Sequence, residues 1–201
     1  MKTDQVSRRT VLKGAGAAAV ASVAPSILAR PKHSPNDKLV MGLIGCGGMG
    51  AANMRSLMEF DDVEFAAVCD VDTSRMSGDI ETVQKKYGRA PSVYSDYRRM
   101  LDRKDIDAVI IGTPDHWHAL NFVHACQAGK DSYCEKPLSH HLTEAVAMSK
   151  AHTKYNRVCQ VGTWQRSTKE FTDALDFVRS GKLGKIVLCR AWISDGTRIG
   201  K

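Results

Sequence analysis

The sequence predicts a doubly wound α/β fold, in which parallel strands alternate with helices that cover both faces of one sheet. Three observations predict it. Apolar runs of strand length recur between helical stretches from about residue 38 onward. One of them, Ala108-Val109-Ile110-Ile111, is apolar at every position, the pattern of a strand buried on both faces of a parallel sheet. Between the first run and the first helix stands Gly45-Cys46-Gly47-Gly48-Met49-Gly50, a G-x-G-x-x-G spacing suited to a tight strand-to-helix turn.

The elements follow in order. Lys38–Ile44 is the first strand, and the glycine-rich turn leads into a helix over roughly 48–59. Val63–Cys69 is the second strand, with a polar helix near 73–87 behind it. Asp107–Gly112 encloses the continuous apolar run; a helix over about 116–128, a short strand at Ser132–Cys134, a helix near 142–155 and a strand at Arg157–Val161 come next. Ser167 and Glu170 form an S-x-x-E capping box for a further helix, whose Phe171, Ala174, Leu175 and Val178 fall at i, i+3, i+4 and i+7. Gly181 supplies its stop. Lys185–Ile193 reads as the opening strand of another unit, and such a strand needs partners for its backbone groups. The organisation predicted is a nucleotide-binding Rossmann-type domain over 37–163, with 164–201 as a linker helix and the first strand of a truncated second α/β domain.

Composition agrees with a globular chain: 201 residues, 43% hydrophobic and 25% charged, which excludes collagen-like, coiled-coil and wholly disordered classes. The net charge of +7 first invites nucleic acid as a partner. Residues 1–29 contribute +3 of it, from Lys2, Arg8, Arg9 and Lys13 against Asp4. The +4 left on the remainder comes with 6% aromatics and no basic cluster, which argues against nucleic-acid binding.

That N-terminal segment has the layout of an export signal. Ser7-Arg8-Arg9-Thr10-Val11-Leu12-Lys13 precedes a short, weakly apolar run, and the paired arginines resemble the twin-arginine pattern. Ser22, Pro25 and Ser26 interrupt the run, which is too short for the roughly 20 apolar residues of a stable membrane span. Residues 1–29 are therefore expected to be a twin-arginine signal peptide, the partner the twin-arginine export machinery and the destination the periplasm. A protein that loads a cytoplasmic cofactor before leaving needs a route for folded cargo. The six cysteines include no C-x-x-C pair, so a zinc knuckle or thioredoxin-like motif is not expected; several sit in apolar runs as small hydrophobes, and a disulfide in an oxidising compartment stays open without an assignable pairing.

The motifs carry the chemistry. In the glycine turn, Gly45 permits the sharp bend, Gly47 lets the backbone approach a pyrophosphate and Gly50 allows close helix packing. The following helix N-terminus offers N–H groups and a positive dipole end to phosphates. Asp70 ends the second strand, where an acid accepts hydrogen bonds from ribose hydroxyls and repels a 2′-phosphate. This favours NAD over NADP; Asp72 is the weaker alternative.

Glu135-Lys136-Pro137 is by itself a surface turn, but it follows a strand end, where ligands of open α/β sheets sit. Lys136 there would polarise a hydroxyl or carbonyl oxygen and assist proton transfer, and Pro137 limits it to extended geometry. Thr113-Pro114-Asp115-His116-Trp117-His118 also follows a strand end. No downstream residues complete a metal-ligand spacing, so no metal is assigned, and the segment reads as helix entry at Asp115 with a cofactor-side His118. His140-His141 reads as surface. Gly162-Thr163-Trp164-Gln165-Arg166 either lines the nicotinamide side of the pocket or is a loop with one buried Trp.

Together these residues resemble the Gfo/Idh/MocA family, named for glucose-fructose oxidoreductase and inositol dehydrogenase. The resemblance runs from Gly45–Gly50 through Asp70, Thr113–His118 and Glu135-Lys136-Pro137 to Gly181-Lys182-Leu183-Gly184, and the Glu-Lys-Pro placement is its most specific element. It implies an NAD(P)-dependent oxidoreductase acting on a sugar or cyclic polyol, a homo-oligomer when full length. Lys136 is implied as catalytic. Cofactor contacts are implied at Gly45, Cys46, Gly47, Gly48, Met49, Gly50, Asp70, Thr113, Pro114, His118, Glu135, Lys136, Trp164, Gln165 and Arg166. Two rivals stay open: an NAD-dependent glycosidase of the same family, and a non-catalytic nucleotide-binding fragment. Asp115 stands where many members have Asn, and the family's substrate domain, which carries the lysine's catalytic partners, is nearly absent.

Overall fold

The computed structural model of the protein describes residues 38–191; the arginine pair and the rest of residues 1–29 lie outside the described residues. The elements are β1 (Leu39–Ile44), α1 (Gly48–Leu57), β2 (Val63–Cys69), a 3-10 turn (Thr73–Arg75), α2 (Ser77–Tyr87), β3 (Ser92–Tyr94), α3 (Tyr97–Leu101), β4 (Ala108–Ile111), α4 (Asp115–Gln127), β5 (Asp131–Glu135), α5 (Leu142–Tyr155), β6 (Cys159–Gly162), a second 3-10 turn (Trp164–Ser167) and α6 (Lys169–Arg179). The strands form one parallel sheet in the order β3-β2-β1-β4-β5-β6. The order reverses between β1 and β4, which opens a crevice at their carboxyl ends.

Two apolar cores flank the sheet. On one face Leu43, Phe65, Val68 and Ile110 pack with Met54 and Met58 of and after α1 and Val83 of α2. On the other, Ile44, Val109 and Ile111 pack with Met100, Phe122, Ala125 and Met148 from α3, α4 and α5. All four residues of β4 are buried, as the unbroken apolar run requires. Burying a side chain of this size contributes about 1.5–3 kcal/mol, so β4, touched from both faces, anchors the sheet.

The structure departs from the sequence reading in four places. The helix expected over 73–87 is broken at Met76: Asp72 accepts from the Ser74 N–H at 3.0 Å and starts a 3-10 turn before α2 begins. The short β3 and α3 went unpredicted, α3 being started by Asp96, whose carboxylate accepts from the Arg98 N–H at 3.0 Å. The capping box at Ser167 and Glu170 does not form; Ser167 ends the second 3-10 turn, and Thr168 precedes α6 without a side-chain cap. Residues 185–191 are not a strand, since no neighbouring strand pairs their backbone among the described residues, and 192–201 lie outside those.

Helix α6 itself is present, with its apolar face, including Phe171 and Leu175, exposed. Among the described residues, no helix is long and apolar enough to cross a membrane.

Candidate dinucleotide-binding cleft

A cleft of about 670 Å³ opens at the carboxyl ends of β1, β2, β4 and β5. Its floor is the glycine turn. Gly45 sits at φ +89, and its N–H donates to the Cys69 carbonyl at 2.8 Å, which ties the end of β1 to β2. A Cβ on Gly45 would stand 2.6 Å from the Thr113 nitrogen, and one on Gly50 2.1 Å from the Gly45 oxygen. Gly112, after β4, closes the stack, since its own Cβ would lie 2.6 Å from the Gly50 Cα. These three glycines let β1, α1 and β4 meet backbone to backbone.

Gly47 and Gly48 behave differently. A Cβ on Gly47 would meet only the Arg75 guanidinium, at 3.8 Å, and one on Gly48 would meet nothing within 4 Å. Their lack of side chains leaves room above the turn rather than relieving a clash below it. Gly47 precedes α1 with no side-chain cap, and α1 has no acid in its first turn. The N-terminal N–H groups and the dipole end therefore face a cradle that suits a pyrophosphate.

Asp70 borders the cradle at the end of β2. Its Oδ2 accepts from the Cys46 N–H at 2.8 Å and its Oδ1 from the Asp72 N–H at 2.9 Å. One carboxylate thus fixes the glycine turn and the loop after β2, with further lone pairs for ribose hydroxyls. Asp72 is committed elsewhere, to Ser74 and to Arg75 Nε at 3.4 Å, and these bonds hold its carboxyl below the usual carboxylate range. Cys46, only 6% exposed, turns its side chain into the core; burial, reinforced by Asp79 and Asp70, pushes its thiol up.

The far wall comes from β4 and β5. Thr113 and Pro114 line it, the Thr113 hydroxyl accepting from Asn121 Nδ2 at 3.2 Å. Glu135 is 3% exposed at the end of β5; its Oε1 accepts from Asn53 Nδ2 of α1 at 2.7 Å and its Oε2 from the Lys136 N–H at 3.0 Å. A buried carboxylate with both oxygens bonded is a fixed support, and it holds the backbone from which Lys136 projects. Lys136 is exposed and lines the cleft, and its bond to Pro137 is cis.

The structure brings Gly45, Gly47, Gly48, Met49, Asp70, Thr113, Pro114, Glu135 and Lys136 to one cleft. Cys46 and Gly50 act beneath it, through the bond to Asp70 and the close approach to Gly45.

Two expectations are corrected. His118 is not on the cofactor side: it is 1% exposed, with Nδ1 at 2.7 Å from the Pro137 oxygen and Nε2 at 2.8 Å from the Thr113 oxygen. Its ring straps the turn after β5 to the turn after β4. Trp164, Gln165 and Arg166 are exposed on the second 3-10 turn and do not line the cleft, and Trp164 is not a buried loop residue either.

Sequence reasoning missed Arg75, Tyr97, Trp117 and Asn121, all of which line the cleft. Arg75 places its guanidinium above the glycine turn, 3.8 Å from where a Cβ on Gly47 would stand. Its closeness to Asp70 in sequence was the available signal, though an ordinary surface arginine gives the same one.

A parallel sheet with this strand order, a glycine turn against an uncapped helix and an acid at the end of β2 define a dinucleotide-binding protein of the Rossmann class. Residues 39–163 match the GFO/IDH/MocA oxidoreductase family with its NAD-binding Rossmann fold, and the chain belongs to that family. NAD is accordingly its dinucleotide, and the cradle above Gly47 and Gly48 fits it.

Among similar proteins, the uncharacterized oxidoreductase YrbE of Bacillus subtilis is 31% identical over 147 residues, covering 73% of this chain and 42% of that one. An alpha-N-acetylgalactosaminidase of Shewanella oneidensis is 27% identical over 204 residues, covering 90% of this chain and 44% of its own length. The crystal structure of myo-inositol 2-dehydrogenase from Lactobacillus plantarum superposes with a TM-score of 0.66 at 29% identity, over 74% of this chain and 43% of that one. The chain thus spans less than half the length of these relatives.

Proposed function

We propose that the protein catalyses hydride transfer between NAD and a sugar or cyclic polyol, with Lys136 as the proton-handling group. The observation that carries this is the pairing of an exposed, cleft-lining Lys136 with a buried, doubly bonded Glu135. A mobile ammonium is thereby given a fixed origin beside the dinucleotide cradle. Bound NAD supplies the hydride acceptor or donor.

The protein's own groups do the rest. Gly47, Gly48 and the α1 N-terminus hold the pyrophosphate, Asp70 the ribose hydroxyls, and Lys136 Nζ hydrogen-bonds the reacting oxygen. In the oxidative direction the lysine amine takes the hydroxyl proton as the carbonyl forms; in the reductive direction the ammonium returns it. The polyol class draws support from the similarity to an inositol dehydrogenase.

A second reading, an NAD-dependent glycosidase, draws support from the similarity to an alpha-N-acetylgalactosaminidase. Both readings use NAD and Lys136 and part at the product. The full-length protein is supplied with NAD and, in parallel, with a polyol panel and nitrophenyl glycosides. Net NADH formation supports the dehydrogenase; nitrophenol release without net NADH supports the glycosidase. Lys136→Met is expected to reduce either turnover by about 100-fold or more while NAD affinity stays within about threefold. Undiminished turnover in that variant removes Lys136 from the mechanism.

A further inference from the structure

One pair of side chains outside the cleft carries chemistry that the dinucleotide site does not use. Cys126, on α4, is completely buried, and Cys159, the first residue of β6, is partly exposed. Their sulfurs lie 3.8 Å apart across the sheet-to-helix packing, although the residues are 33 positions apart in sequence.

The other buried cysteines are in inert surroundings: burial pushes the Cys69 and Cys134 thiols up to about 12 and raises Cys46 as well. Cys159 differs in direction. The two sulfurs share a hydrogen bond in which either can donate, and this contact holds the Cys159 thiol below the ordinary cysteine value while Cys126 is raised in return. The pair is asymmetric in burial, a partly exposed cysteine against a fully buried one, which is the layout of a thiol-disulfide exchange site.

We propose that Cys159 is a thiol-disulfide exchange site for small disulfides of the glutathione class, and that Cys126 resolves the adduct into an internal disulfide between α4 and β6. The balance is complete. The Cys159 thiolate attacks one sulfur of the small disulfide, forming a mixed disulfide and expelling one small thiolate. Cys126 then attacks the Cys159 sulfur and expels the second. One small disulfide is reduced to two thiols, two protein thiols are oxidised to one disulfide, and the two protein protons end on the departing thiolates. The sulfurs must approach from 3.8 Å to bond length, about 2.0 Å, by side-chain rotation with a small shift of edge strand β6.

The consequence reaches the cleft. Gly162, at the other end of β6, packs so closely on Glu135 that a Cβ there would lie 2.8 Å from its Oε1. Closing the bond staples the strand that backs the carboxylate supporting Lys136.

The test uses the folded full chain incubated with glutathione disulfide, then denatured, alkylated and peptide-mapped. The expected result is a mass lower by two hydrogens, two fewer titratable thiols, a Cys126–Cys159 cross-link and a melting temperature raised by about 10 °C. In Cys126→Ser a single glutathione adduct is expected to persist at Cys159; Cys126→Ala serves if that variant does not fold. A full complement of thiols in the treated protein overturns the proposal, as does a cross-link through other cysteines. The wild-type map decides even if neither variant folds.

Discussion

Asp70 shows how much one side chain carries. Its two oxygens hold the N–H groups of Cys46 and Asp72, so the same charge shapes the glycine turn and lines the cleft. Asp70→Asn retains the size but loses the charge, and turns an N–H donor toward donors already there. Hydrogen bonds to a charged group contribute about 1.5–3 kcal/mol, so NAD affinity is expected to fall by about 10–100-fold. NADP should lose less, because the repulsion of its 2′-phosphate is lost with the charge. Quenching of Trp117 fluorescence at the cleft reads both titrations; an unchanged NAD-to-NADP ratio would remove Asp70 as the selector. The acid was legible in sequence because its distance from the glycines is set by one helix and one strand. His118 was not. Its ring nitrogens meet the Thr113 and Pro137 carbonyls, 5 and 19 residues away along the chain, and only the pairing of β4 with β5 brings those turns together.

At the scale of elements, the glycine turn separates folding from binding. Gly50 is where α1 rests on β1, and a methyl group there would sit 2.1 Å from the Gly45 oxygen. Gly50→Ala must push the helix off the strand, with an expected loss of about 3 kcal/mol or more, read as a lower urea midpoint. Gly47→Ala meets nothing closer than 3.8 Å, and its φ of −77 suits any residue. It should leave the urea midpoint nearly unchanged yet weaken NAD by about tenfold or more, because the methyl occupies the pyrophosphate's approach. A Gly47→Ala protein that binds NAD normally would move the phosphate elsewhere. The same contrast explains what sequence reveals about elements. The apolar run of β4 and the glycine turn announce themselves, since burial on two faces and close backbone contact each restrict residue type. Three-residue β3, with Val93 exposed, leaves no such pattern. The sequence predicts a strand over Lys185–Ile193, but pairing depends on a neighbour, and none stands beside residues 185–191 among the described residues.

For the whole molecule, the cleft lies where the two halves of the sheet diverge, so its lining comes from both. Gly45 and Asp70 belong to the β1–β2 side, Thr113 and Lys136 to the β4–β5 side, and the glycine stack of Gly45, Gly50 and Gly112 fuses the two beneath the cradle. Breaking either half destroys the site, and NAD must therefore stabilise the domain as one unit. Linkage sets the size of the effect: at a hundred times its dissociation constant a ligand specific for the folded state adds about 2.7 kcal/mol. For a chain of this length that corresponds to a rise in melting temperature of about 5–10 °C. The transition should stay single, and NADP at the same concentration should shift it by less, in proportion to the affinity it loses at Asp70. Scanning calorimetry with each dinucleotide measures both quantities. A melt that splits in the presence of NAD, with only the β1–β2 side stabilised, would show that the crevice binds half a dinucleotide and that the wall bearing Lys136 does not take part.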